Sequence, residues 1–138
     1  MSFLLDTNGV SEYSKKKPNP KVIEWIDAQI EESLFISVLT VGEIEKGIAK
    51  ITDANRKTQY ELFIKNLVLR FGSRILPVSL KIARRWGNIT GNLEKRGRIL
   101  PIADALIAAT ALEHNLTIIT RNTKDFADTG AKVLNIWE

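Results

Sequence analysis

The sequence alternates short apolar runs with longer segments in which apolar residues recur every three or four positions. Short apolar runs are typical of buried strands, and the longer spacing is that of a helix with one apolar face. The predicted strands are Phe3–Leu5, Leu34–Ser37, Ile75–Val78, Thr117–Ile119 and Val133–Ile136. Because strands that alternate with helices form parallel sheets, the pattern predicts an α/β layer sandwich with a mostly parallel sheet.

Proline and glycine bound the helical segments. Lys15–Pro20 predicts a loop, because its two prolines cannot continue a helix. Gly97 is expected to end the helix before it, and Pro101 to lie in the first turn of the last helix, which stops near His114–Asn115. The predicted apolar faces, in chain order, are Val22, Ile23, Ile26 and Ile30; Val41, Ile44, Ile48 and Ile51; Tyr60, Phe63, Ile64 and Leu67 within Asn55–Phe71; Ile82, Ala83, Trp86, Ile89 and Leu93; and Ile102, Leu106, Ala109 and Leu112.

Composition excludes several classes of protein. A length of 138 residues, with 44% hydrophobic and 26% charged residues, suits one folded domain over residues 1–138. The absence of cysteine excludes disulfides and thiol catalysis, and the single histidine, His114, excludes a histidine-rich metal site. No apolar run approaches the length of a membrane span, and no signal-peptide pattern opens the sequence. A cytoplasmic protein without a membrane partner is therefore expected.

Four acidic residues stand where predicted elements begin or end: Asp6, Glu43, Asp104 and Asp125. Asp6 and Asp125 follow the first and fourth strands, whereas Glu43 and Asp104 are expected near the starts of two helices. Because the carboxyl ends of parallel strands meet at one edge of a sheet, the four side chains are expected in one cleft. Carboxylates that share a cleft repel one another, and a divalent cation is their natural partner. This arrangement predicts a metal-dependent hydrolase.

Each of these acids also has a purely structural interpretation. Asp6 fits an N-cap, and Thr40 followed by Glu43 fits a capping box. Asp104 fits a residue that complements the helix dipole, and Asp125 fits a turn. Their joint placement favours a functional site, because caps that arise by chance have no reason to converge on one edge of a sheet.

Phosphodiester hydrolysis explains why several carboxylates are useful. A magnesium or manganese ion lowers the pKa of a bound water and neutralises charge on the phosphodiester, and two ions require more carboxylates than one. The neighbouring polar residues Asn8, Thr120 and Asn122 are expected to orient the carboxylates through hydrogen bonds. The net charge of the chain is +4, and a basic surface around an acidic cleft fits a polyanionic substrate.

The segments that carry these residues resemble the PIN-domain family, and in particular its VapC and FitB-like toxins. The matching segments are Leu4–Asn8, the helix of Glu43, Pro101–Ala111 and Thr120–Phe126. The resemblance implies a PIN-like three-layer α/β/α sandwich with a mostly parallel central sheet. It also implies an endoribonuclease dependent on Mg²⁺ or Mn²⁺, acting as the toxin of a type II toxin–antitoxin pair. The implied partners are an RNA substrate, a small antitoxin protein and a second copy of the chain in a homodimer.

The same resemblance assigns roles to the four acids. Asp6 and Asp104 match the principal metal-binding aspartates of the family, and Glu43 matches the glutamate that holds a second ion or its water. The fourth position is open between Asn122 and Asp125. Asp125 is favoured as the second-ion ligand, with Asn122 as a hydrogen-bonding substitute.

One residue departs from the family pattern and supports an alternative function. Gly9 stands where relatives carry a bulky aliphatic residue, and it is expected to weaken the first helix and to remove a side chain from the core. The alternative is a catalytically weakened PIN-like module that binds protein or RNA. Two phosphoryl-transfer alternatives are disfavoured. An aspartate-nucleophile phosphatase requires a second aspartate where this chain has Asn8. A receiver domain requires an adjacent pair of acidic residues at the first strand, which this chain lacks.

Overall fold

A five-stranded sheet runs through the middle of the protein, and all of its strand pairs are parallel. The computed structural model describes residues 1–138. Its strands are β1 (Phe3–Leu5), β2 (Leu34–Ser37), β3 (Ile75–Leu76), β4 (Thr117–Ile119) and β5 (Val133–Leu134). They lie in the order β3-β2-β1-β4-β5. The chain therefore builds outward from β1 on one side and then crosses to the other, which makes the β1/β4 boundary the topological switch point.

Helices cover both faces of this sheet. They are α1 (Thr7–Ser11), α2 (Pro20–Asp27), α3 (Val38–Ala49), α4 (Ala54–Phe71), α5 (Leu80–Lys95) and α6 (Ile102–His114). Phe3 and Leu5 of β1 belong to a core cluster shared with α1 to α4, whereas Leu4 belongs to a second cluster shared with α6. This alternation of side chains along β1 separates the two helical layers. The predicted α/β/α sandwich is confirmed, and the sheet is parallel throughout.

The predicted apolar faces are wrong at three positions. Helix α2 ends at Asp27, so Ile30 lies beyond it and is 74% exposed. Ala83 is exposed on α5. Ile102 at the start of α6 is 66% exposed, and the helix instead buries its small residues, among them Ala105 and Ala108. Because α6 packs between the sheet and α5, close approach selects alanines over larger side chains.

Two strands are shorter than the sequence predicted. β3 ends at Leu76 because Pro77 follows, and proline cannot donate a hydrogen bond to the ladder. β5 ends at Leu134, since the side chain of Asn135 accepts a hydrogen bond from the N–H of Trp137 at 2.9 Å and turns the chain. Both strands lie at sheet edges and pair with one neighbour only, so ending them early costs hydrogen bonds on one side of the strand.

The helix ends depend on local hydrogen bonds that the sequence predicted only in part. The predicted capping box is wrong: Ser37 caps α3 by accepting the N–H of Leu39 at 3.0 Å, and Thr40 lies inside the helix. Glu43 is consequently in the second turn. Gly97 closes α5 as predicted, with a φ of 74° and its N–H donating to Glu94 at 2.9 Å. Pro101 immediately precedes α6 rather than lying within it.

A buried glutamate joins the two ends of the chain. Glu12, 1% exposed, accepts hydrogen bonds from the Lys15 ammonium at 2.7 Å, the backbone N–H of Asn19 at 2.9 Å and the indole N–H of Trp137 at 3.2 Å. Burial raises the pKa of Glu12, but these hydrogen bonds outweigh it and hold the pKa below its ordinary value. Glu12 therefore stays charged inside the protein and anchors the carboxy-terminal tail to the loop before α2.

Gly9 lies in α1, buried, and the position has room for a side chain. A Cβ there would meet Asp6 Oδ1 at 3.6 Å and Trp137 at 3.8 Å, which are ordinary contacts. Gly9→Ala is therefore expected to raise the free energy of unfolding by about 0.5–1 kcal/mol, because alanine loses less backbone entropy in a helix. Urea unfolding monitored by circular dichroism measures this. A lower midpoint for the variant would show that the position tolerates no side chain.

Candidate active site

The carboxyl ends of β1 and β4 open into a polar pocket, named here the acid pocket. It contains all four acidic residues singled out from the sequence: Asp6, Glu43, Asp104 and Asp125. The other lining residues are Thr7, Asn8, Thr40, Ile107, Thr120, Asn122 and Phe126. The acids thus converge at the topological switch point, the place where open α/β sheets bind ligands.

Different elements bring the acids together. Asp6 follows β1 directly and its N–H donates to the carbonyl of Ile119 in β4 at 3.1 Å. It is also the N-cap of α1, with Oδ1 accepting the N–H of Gly9 at 2.9 Å. Asp104 lies in the first turn of α6, and Asp125 lies in a 3₁₀ turn, Thr123–Phe126. The capping interpretation of Asp6 is correct, yet its carboxylate also lines the pocket.

Two of the carboxyls lie in surroundings that disfavour their charge. Burial raises the pKa of Asp6; hydrogen bonds from Thr120 and from the Gly9 N–H oppose this, and the charges of neighbouring acids add to it. Burial also raises the pKa of Asp104, and the negative charges of Asp125 and Glu43 raise it further. The acid pocket therefore holds negative charge at a cost to stability, which a bound cation would offset.

Asp104→Asn is expected to stabilise the protein at pH 8 in the presence of a chelator. Because the folded-state pKa of Asp104 is raised, its charge destabilises the native state above that pKa, and the penalty disappears as the pH falls through it. The difference in melting temperature between the variant and the unmodified chain should therefore be positive at pH 8 and shrink toward pH 4. A constant difference across this range would show that Asp104 carries no electrostatic penalty.

The small polar side chains in the pocket differ in whether they hydrogen-bond the acids. The hydroxyl of Thr120 hydrogen-bonds the Asp6 carboxyl and lowers its pKa, and it also accepts the N–H of Asn122 at 3.1 Å. Thr7, which the sequence reasoning missed, donates its hydroxyl to Oε1 of Glu43 at 3.0 Å. Its position directly after Asp6 was the available signal. Asn8 and Asn122 line the pocket without a side-chain hydrogen bond to any of the four acids.

The donor set fits a hard divalent cation. The titratable donors in the pocket are all carboxylates, the ligands that Mg²⁺ and Mn²⁺ accept. No three of them are close enough to hold one ion by themselves. A magnesium ion keeps several waters and needs only one or two carboxylates, so the spacing is compatible with such an ion. In addition, the pocket is bordered by a buried threonine hydroxyl, Thr40 Oγ1, that has no hydrogen-bond partner.

A single arginine anchors the loop that carries Asp125. Arg98 donates from one guanidinium nitrogen to the carbonyl of Ala127 and, at 2.9 Å, to the Asp128 carboxylate. Its other nitrogen donates to the carbonyls of Lys124 at 3.1 Å and Asp125 at 3.3 Å. The segment before α6 is thereby tied to the loop after β4, which keeps the Asp125 backbone near Asp104.

Arg98→Ala is expected to loosen this loop without unfolding the protein. Hydrogen bonds to a charged group contribute about 1.5–3 kcal/mol, so the backbone amides of Asp125, Ala127 and Thr129 should exchange at least about tenfold faster. Hydrogen exchange followed by mass spectrometry measures this. Arg96→Ala, which removes an exposed arginine two residues away, is the matched control and should leave exchange unchanged. Equal exchange in both variants would contradict the anchoring role.

Fold and pocket together define a class: parallel α/β/α proteins with carboxylates gathered at the switch point of the sheet. The sequence model of the PIN domain matches residues 3–132, and the chain belongs to the PIN domain family. Gly9, the departure from the family pattern, removes none of the four acids from the pocket.

Individual relatives resemble the chain over its whole length. The VapC ribonuclease Y4jK of Sinorhizobium fredii is 35% identical over 137 residues, covering 99% of this chain and 98% of that protein. The crystal structure of FitAcB from Neisseria gonorrhoeae matches with a TM-score of 0.91 at 34% identity, over 99% of both chains. A toxin–antitoxin complex from Klebsiella pneumoniae matches with a TM-score of 0.70 at 29% identity, over 99% of both chains.

No helix of the protein is both long enough and apolar enough to cross a bilayer.

Proposed function

We propose that the protein is a metal-dependent endoribonuclease and the toxin of a toxin–antitoxin pair. The observation that carries the proposal is the meeting of Asp6, Glu43, Asp104 and Asp125 in one pocket at the switch point of the sheet. Membership of the PIN domain family and the similarity to a VapC ribonuclease support a nuclease. The dependence on Mg²⁺ or Mn²⁺ is proposed from the donor set and from the charge that the pocket holds.

Asp6 and Asp104 would hold the principal ion. When bound, such an ion lowers the pKa of a water and neutralises charge that builds on the phosphodiester. The raised pKa values of both aspartates mean that a cation there relieves an existing penalty. Thr120 and the Gly9 N–H keep the Asp6 carboxylate oriented through hydrogen bonds.

Glu43 and Asp125 would act at the more open side of the pocket, where both are exposed. Thr7 holds the Glu43 carboxylate from one side, and Arg98 holds the backbone of Asp125. Either carboxylate can accept a proton from an attacking water or bind a second ion. The RNA chain would be drawn to the protein by its net positive charge, which is +4 for the whole chain even with the acids of the pocket included.

The proposed protein partners are a small antitoxin and a second copy of the chain. The antitoxin is proposed from the similarity to a toxin–antitoxin complex. A homodimer is proposed with it, and exposed apolar side chains such as Leu80 at 77% and Ile99 at 85% supply surface for such contacts. Light scattering after size-exclusion chromatography measures the oligomeric state.

The proposed activity is tested by incubating the purified protein with a mixed RNA pool in Mg²⁺, in Mn²⁺ and in a chelator. Cleavage in either metal and none in the chelator is expected. Thermal unfolding under the same conditions should show a higher melting temperature with the metal, because a ligand that binds the native state stabilises it. Absence of both cleavage and metal-induced stabilisation would overturn the nuclease and favour the binding-module alternative.

A further inference from the structure

The hydroxyl of Thr40 is a buried polar group without a partner at the edge of the acid pocket. Thr40 is 0% exposed, and its Oγ1 makes no hydrogen bond. Such a group costs stability, because its bonds to water are lost on folding and no protein atom replaces them. A hydroxyl kept in this state points to a partner that arrives from outside the folded chain.

Local alternatives do not account for the hydroxyl. Ser37 already caps α3, so the threonine has no capping role. A threonine inside a helix commonly donates to the carbonyl four residues earlier. Thr58 does this with Ala54 at 3.0 Å, and Thr110 does it with Leu106 at 2.7 Å. Thr40 is the third residue of α3, so the residue four before it, Ile36, lies in β2, and Thr40 makes no such bond.

The surroundings of Thr40 indicate what the missing partner is. Thr40 and Glu43 are three residues apart on α3, hence neighbours on one face of the helix, and both line the acid pocket beside Asp6 and Asp104. Glu43 is itself oriented by the Thr7 hydroxyl at 3.0 Å. The pocket therefore offers the Thr40 hydroxyl carboxylate oxygens, or oxygens of a molecule bound among them, as hydrogen-bond acceptors.

We propose that Thr40 is a positioning residue of the divalent-ion site, whose hydroxyl gains its hydrogen-bond acceptor, a carboxylate or water oxygen, when the ion binds. The proposal rests on the proposed function and adds a residue to it. Mutual repulsion spreads the carboxylates apart without an ion, and a cation draws oxygens together. The hydroxyl then holds one of these oxygens in place from the helix α3 side.

This coupling has a measurable consequence for affinity. When ion binding gives the hydroxyl a hydrogen-bond acceptor, the free energy of that hydrogen bond adds to the binding free energy. Removal of the hydroxyl is therefore expected to weaken ion binding by about tenfold or more. The same removal is expected to raise the melting temperature of the ion-free protein, because the unpaired group is gone. A threonine whose hydroxyl hydrogen-bonds within the folded chain would give the opposite sign in the ion-free state.

The test compares Thr40→Val with Thr40→Ser and Thr90→Val. Valine keeps the shape of threonine without its hydroxyl, and serine keeps the hydroxyl. Thr90 on α5 is the matched control, because its Oγ1 is also buried and unpaired but lies outside the acid pocket. Isothermal titration with Mn²⁺ gives the dissociation constant, and thermal unfolding in a chelator gives ion-free stability.

We expect Thr40→Val to be more stable without the ion and to bind Mn²⁺ about tenfold more weakly, and Thr40→Ser to retain affinity. Thr90→Val should gain stability with unchanged affinity.

Equal Mn²⁺ affinity of Thr40→Val and the unmodified chain would overturn the role of Thr40 and leave the nuclease proposal standing. If the unmodified chain binds no Mn²⁺, both proposals fail. Should the valine variant not fold, Thr40→Ala against Thr40→Ser makes the same comparison, and equal affinities there again overturn the role.

Discussion

Asp104→Asn is expected to abolish RNA cleavage in Mg²⁺ while leaving the protein folded. The aspartate lies in the acid pocket, and its raised pKa reflects burial and the charges of Asp125 and Glu43. Asparagine keeps the size of the side chain and removes the charge that would bind the cation. Residues that merely orient metal ligands contribute about 10- to 100-fold, so loss of a ligand should reduce kcat/KM at least about a hundredfold. Initial rates on a defined RNA measure this.

The stability of the same variant separates a catalytic loss from unfolding. Asp104→Asn removes a destabilising charge, so its melting temperature at pH 8 in a chelator should not fall below that of the unmodified chain. Asp53→Asn is the matched control, since Asp53 is exposed, makes no side-chain capping bond and lies outside the pocket. Unchanged cleavage by Asp104→Asn would remove the central residue from the proposed mechanism.

Glu12→Ala is expected to be strongly destabilising, lowering the free energy of unfolding by about 2–4 kcal/mol, because each buried donor left without an acceptor costs about 1–3 kcal/mol. Removing the carboxylate leaves the Lys15 ammonium, the Asn19 N–H and the Trp137 indole N–H without their acceptor. The lysine can turn to water, but the groups facing the interior cannot do so without moving the loop or the tail. Urea unfolding at pH 7 measures the change.

A surface glutamate supplies the control for this second prediction. Glu45→Ala removes an exposed carboxylate on α3 and should change stability by less than about 0.5 kcal/mol. Glu12→Gln should fall between the two, because the amide retains an accepting oxygen but loses the charge. Because the pKa of Glu12 is lowered in the folded state, its contribution is present near neutral pH and is lost as the pH falls through that folded-state pKa. A Glu12→Ala midpoint equal to that of Glu45→Ala would contradict the anchoring role.

Local patterns were sufficient for much of the fold. The strands β1, β2 and β4 lie where the apolar runs predicted them, and Gly97 closes α5 with the left-handed conformation that glycine favours. Such features depend on residues close in sequence. The predictions failed where packing or a competing neighbour decided, as when Ser37 rather than Thr40 capped α3.

The apolar face of α6 shows a different kind of failure. Its residues are apolar on most sides, so spacing could not select the buried face, and the exposed position of Ile102 follows from contact with the sheet and α5. Ile30 was assigned to a helix that in fact ends at Asp27. In both cases the sequence shows which residues are apolar, but contacts with other elements of the fold determine which of them are buried.

The alternation of strands and helices and the placement of four acids at their ends follow from the amino-acid sequence alone, because both depend on short-range periodicity and on the rule that parallel strands share an edge. The interactions among the pocket residues depend instead on the folded arrangement: the raised pKa of Asp104, the hydrogen bond from Thr7 to Glu43 and the unpaired hydroxyl of Thr40. The contact between Glu12 and Trp137, 125 residues apart, belongs to the same group. These features depend on distances between side chains that are remote in sequence, and packing of the whole chain sets those distances.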